Sequence, residues 1–324
     1  MEKIDLKDRK ILYYLDENSR QSFSQIGKKV GLHKDVVAHR VKRLQEKGII
    51  KKFYTKINDA KLGYIHIRLY LTYQYTNPEI EEEIIKHFCE NRYVEFIHSA
   101  EGDHDLVLVL GTKNIVDFYN SWTKTLNKYR NYFTNQIFSI FVKSYKYKHL
   151  FLIKDKQTKR TENIKPKMFI IPQELEIDDL DYKILKIIIS DARTQTIEIA
   201  KKLKTTSKTI NNRIKRLIEM GVIEDYRVSL DLSKIGYSIY KAFVNLRDFD
   251  KIKKIIEYIS ENPSLDDIDI AMGYSDMEFV FILQNTDELI EIMKDLYQKF
   301  PDTIKNYSYM RLVKTHKWSY LPEE

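Results

Sequence analysis

The sequence predicts an α+β protein in which one two-domain unit, a winged helix-turn-helix head followed by a ferredoxin-like βαββαβ sandwich, is duplicated in one chain. Three observations carry that expectation. Apolar residues recur three and four positions apart near the start and again past the middle, the spacing of helices with one buried face. Segments alternating at period two follow each helical stretch, as half-buried strands do. Residues 4–64 also fall on 177–237 at a constant offset of 173 without a gap, with roughly a third of positions identical. Self-similarity of this kind marks an internal duplication. The matches include Lys10/Lys183, Ile11/Ile184, Leu12/Leu185, Arg20/Arg193, Ile26/Ile199, Arg40/Arg213, Leu44/Leu217 and Gly48/Gly221.

The first head reads as three short helices and a strand. Ile4, Ile11, Leu12 and Leu15 place a helix over about 4–16. Ser22 opens a second helix, with Gln25 at capping-box spacing, Ile26 and Val30 as core residues and Gly31 as its stop. His33 or Lys34 starts a third that runs to about Lys47, with Val37, Val41 and Leu44 on its buried face. Gly48 ends it, because glycine tolerates a left-handed backbone. Residues 49–57 follow as a strand, completing a winged or extended helix-turn-helix outline. The third helix returns with Ile210, Ile214 and Leu217, and stops at Gly221.

Beyond each head the period changes. Strands are expected over 65–75, 93–100, 105–112 and 134–149, with helices from Pro78 to about Asn91 and from Asn114 to about Lys128. Pro suits a first helical turn and Asn a cap. The second copy repeats the order as strand 239–247, helix 249–262, strands 265–271 and 277–284, helix 287–299 and strand 303–318. The turns Ala100-x-Gly102 and Ala271-x-Gly273 match, as do Asp105 and Asp276. Residues 154–174, polar with Pro166 and Pro172, read as a linker. The expected domains are therefore heads at 1–58 and 175–231 and sandwiches at 59–153 and 232–324.

Composition narrows the function. The chain has 324 residues and a net charge of +8, with one cysteine. A lone Cys89 cannot form an internal disulfide, and no Cys/His cluster has zinc spacing. No apolar run is long enough for a membrane span, and residues 1–5 lack signal-peptide character, so a cytoplasmic protein without membrane contact is expected. No phosphate loop or nucleophile arrangement appears, so neither an enzyme nor a cofactor is expected. Basic residues concentrate in the two heads and acidic ones in the last hundred residues. Cations gathered on two matching segments are the footprint of a surface for double-stranded DNA.

On the third helices, Lys34, Ala38, His39 and Lys42, and Lys208, Asn211, Asn212 and Lys215, point away from the core stripe. They are the candidates to enter or flank the major groove. There, Lys contacts guanine or phosphate and Asn pairs with adenine. Arg40, Arg43, Arg213 and Arg216 are candidates to grip phosphate, and equally to brace the fold. The heads differ at Ala38, His39 against Asn211, Asn212, which predicts a site with unlike halves.

The motifs Asp8-x-Lys10-Ile11-Leu12, Asn18-Ser19-Arg20, Ile26 to Leu32, Arg40-Val41-Lys42-Arg43-Leu44, Gly48-Ile49-Ile50, Gly63 and Gly102-x-x-Asp105 resemble the Lrp/AsnC family of regulators, twice over. The resemblance implies DNA-binding heads, sandwiches that bind an effector and oligomerise, and dimers as the smallest working unit. It suggests that the two sandwiches fold together, sheet on sheet, as an intramolecular pseudo-dimer, with two such chains able to associate further. The family's Ser before the third helix is replaced by His33 in the first head and is assigned to Ser207 in the second, which joins the DNA-contact candidates. Gly102, Asp103, His104 and Asp105, with Gly273, Tyr274 and Asp276, are the residues where an amino-acid effector is expected. Sirohaem decarboxylases share this architecture and supply the rival reading, but the His/Arg/aromatic constellation expected for substrate is not seen. A ligand-binding protein with vestigial heads is a third reading, opposed by the retained Lys/Arg rows.

Overall fold

The computed structural model describes residues 2–153 and 174–321. The expected linker lies outside the described residues except for Glu174. The described chain divides into two compact units. One gathers residues 2–62, 148–153 and 174–237, which hold both heads; the other gathers residues 63–147 and 238–321, which hold both sandwiches.

In the head unit, the first copy comprises α1 (Leu6–Glu17), α2 (Phe23–Val30), α3 (Lys34–Glu46) and β1 (Ile50–Ile57). Helix α1 starts two residues later than the apolar pattern suggests, because Asp5 caps it and Asp8 returns a bond to the Asp5 amide. The Ser22/Gln25 capping box forms as the spacing predicts, and Gly31 ends α2 at φ +67°. Ile11, Leu12, Leu15, Ile26, Val37, Val41 and Leu44 bury together. Two strands of the sandwiches, β2 (Ile65–Tyr73) and β3 (Val94–Gly102), flank α4 (Pro78–Glu90). They are followed by β4 (Leu106–Thr112), α5 (Ile115–Tyr129) and β5 (Phe133–Lys146). The second head then supplies α6 (Asp179–Ser190), α7 (Thr196–Lys202), α8 (Ser207–Glu219) and β6 (Ile223–Leu230).

The strand after each head does not fold back on its own helices. β1 pairs antiparallel with β6, with Phe53 opposite Val228 and Tyr54 opposite Arg227. Each head also reaches into the other through equivalent arginines. Arg193 donates to the Ser19 and Gln21 carbonyls, and Arg20 Nη2 to Thr194 O at 3.3 Å. The Ala192 amide donates to Phe53 O at 3.0 Å and the Ser19 amide to Tyr226 O at 2.8 Å. The bonds around Asp16 have no mirror. Asp16, wholly buried, accepts from Arg227 Nε at 2.6 Å and Nη2 at 2.8 Å, and from the His149 amide at 2.8 Å.

The sandwich unit adds β7 (Ser238–Leu246), α9 (Ile252–Ser260), β8 (Leu265–Met272), β9 (Met277–Leu283), α10 (Thr286–Lys299) and β10 (Ile304–Trp318). Each copy has the expected βαββαβ order. The two sheets do more than face each other: their edges hydrogen-bond, β5 to β8 and β10 to β3, closing one eight-stranded barrel in the order β10-β3-β4-β2-β5-β8-β9-β7. The separate sheets expected from the sequence are thus corrected to a continuous one. The cause is length. β5 and β10, at 14 and 15 residues, outrun their own sheets, and closure removes edges that would otherwise stay unpaired.

Outside the barrel, α4 and α5 cover the first copy's strands through Ile84, Phe88, Phe118 and Trp122. Helices α9 and α10 cover the second through Ile255, Ile259, Leu289 and Met293. Inside, Tyr70, Ala100, Val107, Phe243 and Met310 form a smaller apolar cluster. Beside it lies a buried ionic quartet that the sequence did not announce. The Arg68 guanidinium bonds Glu278 and, at 3.0 Å, Asp269. Lys241 Nζ lies 2.6 Å from Glu278 and 3.6 Å from Asp269. Tyr70 donates to Glu278 at 2.9 Å, with Ser139 and Ser275 at 3.4 Å. Burial pushes the Glu278 carboxyl above its ordinary value, while Arg68 pulls it back. Among the described residues, no helix is long and apolar enough to cross a membrane.

Candidate nucleic-acid interface

The third helix of each head presents one face to its core and another outward. On α3, Val37, Val41 and Leu44 are buried, whereas Lys34, His39 and Lys42 are exposed and Ala38 is half-buried. On α8, Ile210, Ile214 and Leu217 are buried, whereas Lys208, Asn211, Asn212 and Lys215 are exposed. The exposed lysines meet only weak local competition: Lys42 lies 3.8 Å from Glu46 and Lys215 lies 3.8 Å from Glu219. Such exposed pairs contribute little, so these cations remain available to a phosphate.

The helix starts correct one assignment. The residue equivalent to His33 is Thr206, which caps α8 by accepting from the Thr209 amide at 3.1 Å. Ser207 is the first helical residue, equivalent to Lys34, and its side chain is half-buried. His33 caps α3 through its ring nitrogen, 3.5 Å from the Asp35 amide.

The four arginines are not free forks. Arg40 Nη1 donates to Asp5 at 2.7 Å and Asp8 at 2.8 Å. Arg43 Nη2 donates to both Asp8 oxygens at 2.8 and 2.7 Å. The second head repeats the clamp: Arg213 bonds Asp178 and Asp181, and Arg216 Nη2 lies 3.5 Å from Asp181. Asp8 and Asp181 are buried. Hydrogen bonds to Asp5 and Asp8 hold the Arg40 guanidinium above its ordinary value, and Asp178 does the same for Arg213. The clamps tie each third helix to the first helix of its head. Their acids are not among the residues expected from the sequence, although Asp5/Asp178 and Asp8/Asp181 recur at the same offset as the arginines.

The turns of the sandwiches have local work to do. Gly102 and Gly273 sit at φ +120° and +132° where each strand meets the other copy. A Cβ there would lie 2.7 Å from Tyr309 O or 2.4 Å from Phe138 O. Asp105 accepts from the Tyr73 amide at 2.8 Å, and Asp276 from the Leu246 amide at 2.7 Å. Tyr274 donates to Asp103 at 3.0 Å, joining the two turns. His104 is buried, stacked on Tyr70 at 5.0 Å and edge-on to Tyr274. Asp103 is exposed.

A winged helix-turn-helix DNA-binding family model matches residues 4–51 and again 177–224. LrpA, an HTH-type transcriptional regulator of Pyrococcus horikoshii, is 33% identical over 125 residues, which cover 39% of this chain and 87% of LrpA. The chain belongs to the Lrp/AsnC family. An uncharacterised HTH-type regulator of Pyrococcus furiosus is 34% identical over 122 residues, 38% of this chain and 82% of that protein. Ptr1 of Methanocaldococcus jannaschii is 35% identical over 112 residues, 35% of this chain and 74% of Ptr1. This Lrp/AsnC protein is therefore a DNA-binding transcriptional regulator in tandem form. Its fold is also that of the sirohaem decarboxylase NirDL, at TM-score 0.62, 12% identity, and coverage of 98% of this chain and 94% of that one.

Proposed function

We propose that the two heads of this Lrp/AsnC regulator read the two halves of one operator, and that the halves differ in sequence. The observation that carries this reading is the exposed pair Asn211, Asn212 on α8 where α3 offers half-buried Ala38 and exposed His39. Asn can bond adenine bidentately, a contact worth about 1–3 kcal/mol against a wrong base. Ala and His offer a methyl contact and a single ring donor or acceptor. Lys34, Lys42, Lys208 and Lys215 would neutralise flanking phosphates, with Ser207 beside them. Arg43 and Arg216 keep enough exposure to add to that while still clamped.

Mutual exchange of residues 38–39 with 211–212, followed by selection of bound fragments from random DNA, tests the proposal. The preferred site should reverse its half-site order. Binding should also weaken steeply with salt, in proportion to the phosphates neutralised. An unchanged preference would end the proposal.

We read the chain as a regulator rather than an enzyme. The shared fold with NirDL favours one direct check: anaerobic incubation with sirohaem should release no carbon dioxide. An amino-acid effector is proposed at the exposed Asp103 carboxylate and its Tyr274 partner. Melting shifts across the twenty amino acids, lost in Asp103→Asn, would support it; no shift with any of them would refute it.

A further inference from the structure

The duplicated halves are not interchangeable where they meet. The barrel register establishes which residues are equivalent. Leu69 pairs with Leu108 and Phe138 as Ala242 pairs with Phe279 and Tyr309. By that correspondence Arg68 and Lys241 are equivalents, one cation from each copy. The acids are not shared in this way. Asp269 and Glu278 stand opposite each other on β8 and β9, where the first copy has His98 opposite Val107 on β3 and β4. Burial, with Arg68 and His316 nearby, pushes His98 down to about 4, so the first copy adds no counter-charge near neutral pH.

The head unit has the same kind of asymmetry, independently. Asp16 on α1 is salt-bridged to Arg227 on β6, and both are buried. Their equivalents at the offset of 173 are Ile189 on α6 and Tyr54 on β1, also buried but uncharged. In each unit these buried charges find their opposite partners only when a first copy meets a second.

We infer that the two copies are built to pair with each other and to reject copies of themselves, the selectivity residing in Asp16 with Arg227 and in Arg68 and Lys241 with Asp269 and Glu278. Two first copies would bury two Asp16 carboxylates against Tyr54, each without its two Arg227 bonds and with only Lys148 and His149 beside it, and two Arg68 guanidiniums beside His98 and Val107. Two second copies would bury two Arg227 against Ile189, and four carboxylates around two lysines. An uncompensated buried charge is strongly unfavourable, so both like-with-like assemblies are disfavoured. Because both copies lie on one chain, the complementary partner is present at high effective concentration. The surface between the two copies is here reserved for the chain's own other half.

Three full-length variants test this. A chain with two first-like copies carries Ile189→Asp, Arg227→Tyr, Asp269→His and Glu278→Val. A chain with two second-like copies carries Asp16→Ile, Tyr54→Arg, His98→Asp and Val107→Glu. The third carries all eight, which exchanges the determinants and restores balance within one chain. Expressed alone, each four-fold variant should melt well below the wild type. Expressed together with different tags, the two should copurify one to one, with about tenfold more soluble protein than either alone. Two differently tagged first-like chains should not capture each other. The eight-fold variant should melt above both four-fold variants and not copurify with either. The inference is overturned if either four-fold variant alone keeps the wild-type melting temperature. It is also overturned if first-like chains capture each other as well as they capture second-like ones, or if the eight-fold variant melts no higher than its parents.

Discussion

The arginine–aspartate clamps show how one side chain can be basic without being a reader. Asp8 accepts from both Arg40 and Arg43 while buried under α3. Asp8→Ala is expected to lower the stability of the head unit by about 2–4 kcal/mol, measured by thermal unfolding, because it leaves two guanidiniums short of a partner. Asp16 yields a pH signature. Burial pushes its carboxyl up, but Arg227, His149 and Lys148 outweigh that and hold it below the ordinary range. A depressed carboxyl stabilises the folded state above its unfolded value of about 4, and that stability is lost as pH falls through the folded value. Asp16→Asn should therefore be most destabilised near neutral pH, and its deficit should shrink as the medium is acidified below about pH 4 in denaturant titrations. The outward faces of α3 and α8 were legible, because helical spacing assigns them from local sequence. The clamps were half legible: the acids recur with the arginines, but their contact crosses 32 to 35 residues. The ionic quartet was not legible, since Arg68 meets Glu278 across 210 residues and strand alternation is silent on which interior position will be charged.

Among the elements, helices with good caps matched the sequence reading best, since a cap is a bond between near neighbours. Ser22 with Gln25 formed its box as spaced. The second copy lacks it: Gln195 makes no side-chain cap bond to α7, and this helix is one residue shorter than α2. Glu198 already stands at the position of Gln25. Gln195→Ser is therefore expected to complete a capping box and raise stability by about 0.5–1.5 kcal/mol, measured as a higher denaturant midpoint. The strands were recognised by alternation, but their partners were not. β1 read as part of a wing and pairs instead with β6; β5 and β10 read as the last strands of their sandwiches and also close a barrel. Hydrogen-bonded edges follow from chain topology that no local pattern contains. At the closure, Gly102→Ala would combine a strained φ with a Cβ 2.7 Å from Tyr309 O. It should destabilise the sandwich unit by about 1–3 kcal/mol in the same assay.

At the scale of the molecule, duplication has let equivalent positions diverge: Asn211, Asn212 from Ala38, His39 on the outward faces of α8 and α3, and Asp16, Arg227 from Ile189, Tyr54 at the heads' junction. A protein assembled from identical subunits cannot make such changes one side at a time. The β1–β6 ladder and the reciprocal Arg20 and Arg193 bonds join the heads without an intervening hinge. On the proposed reading, an operator contacted by both heads would be held to one helical phase. Inserting about 5 base pairs between its halves turns one to the far side of the duplex and should abolish joint binding. Adding about 10 restores the facing but not the distance, and should not recover it in a mobility-shift titration. Two heads on a slack tether would forgive the second insertion; on the proposed reading this pair would act as a ruler for DNA length as well as a reader of its letters.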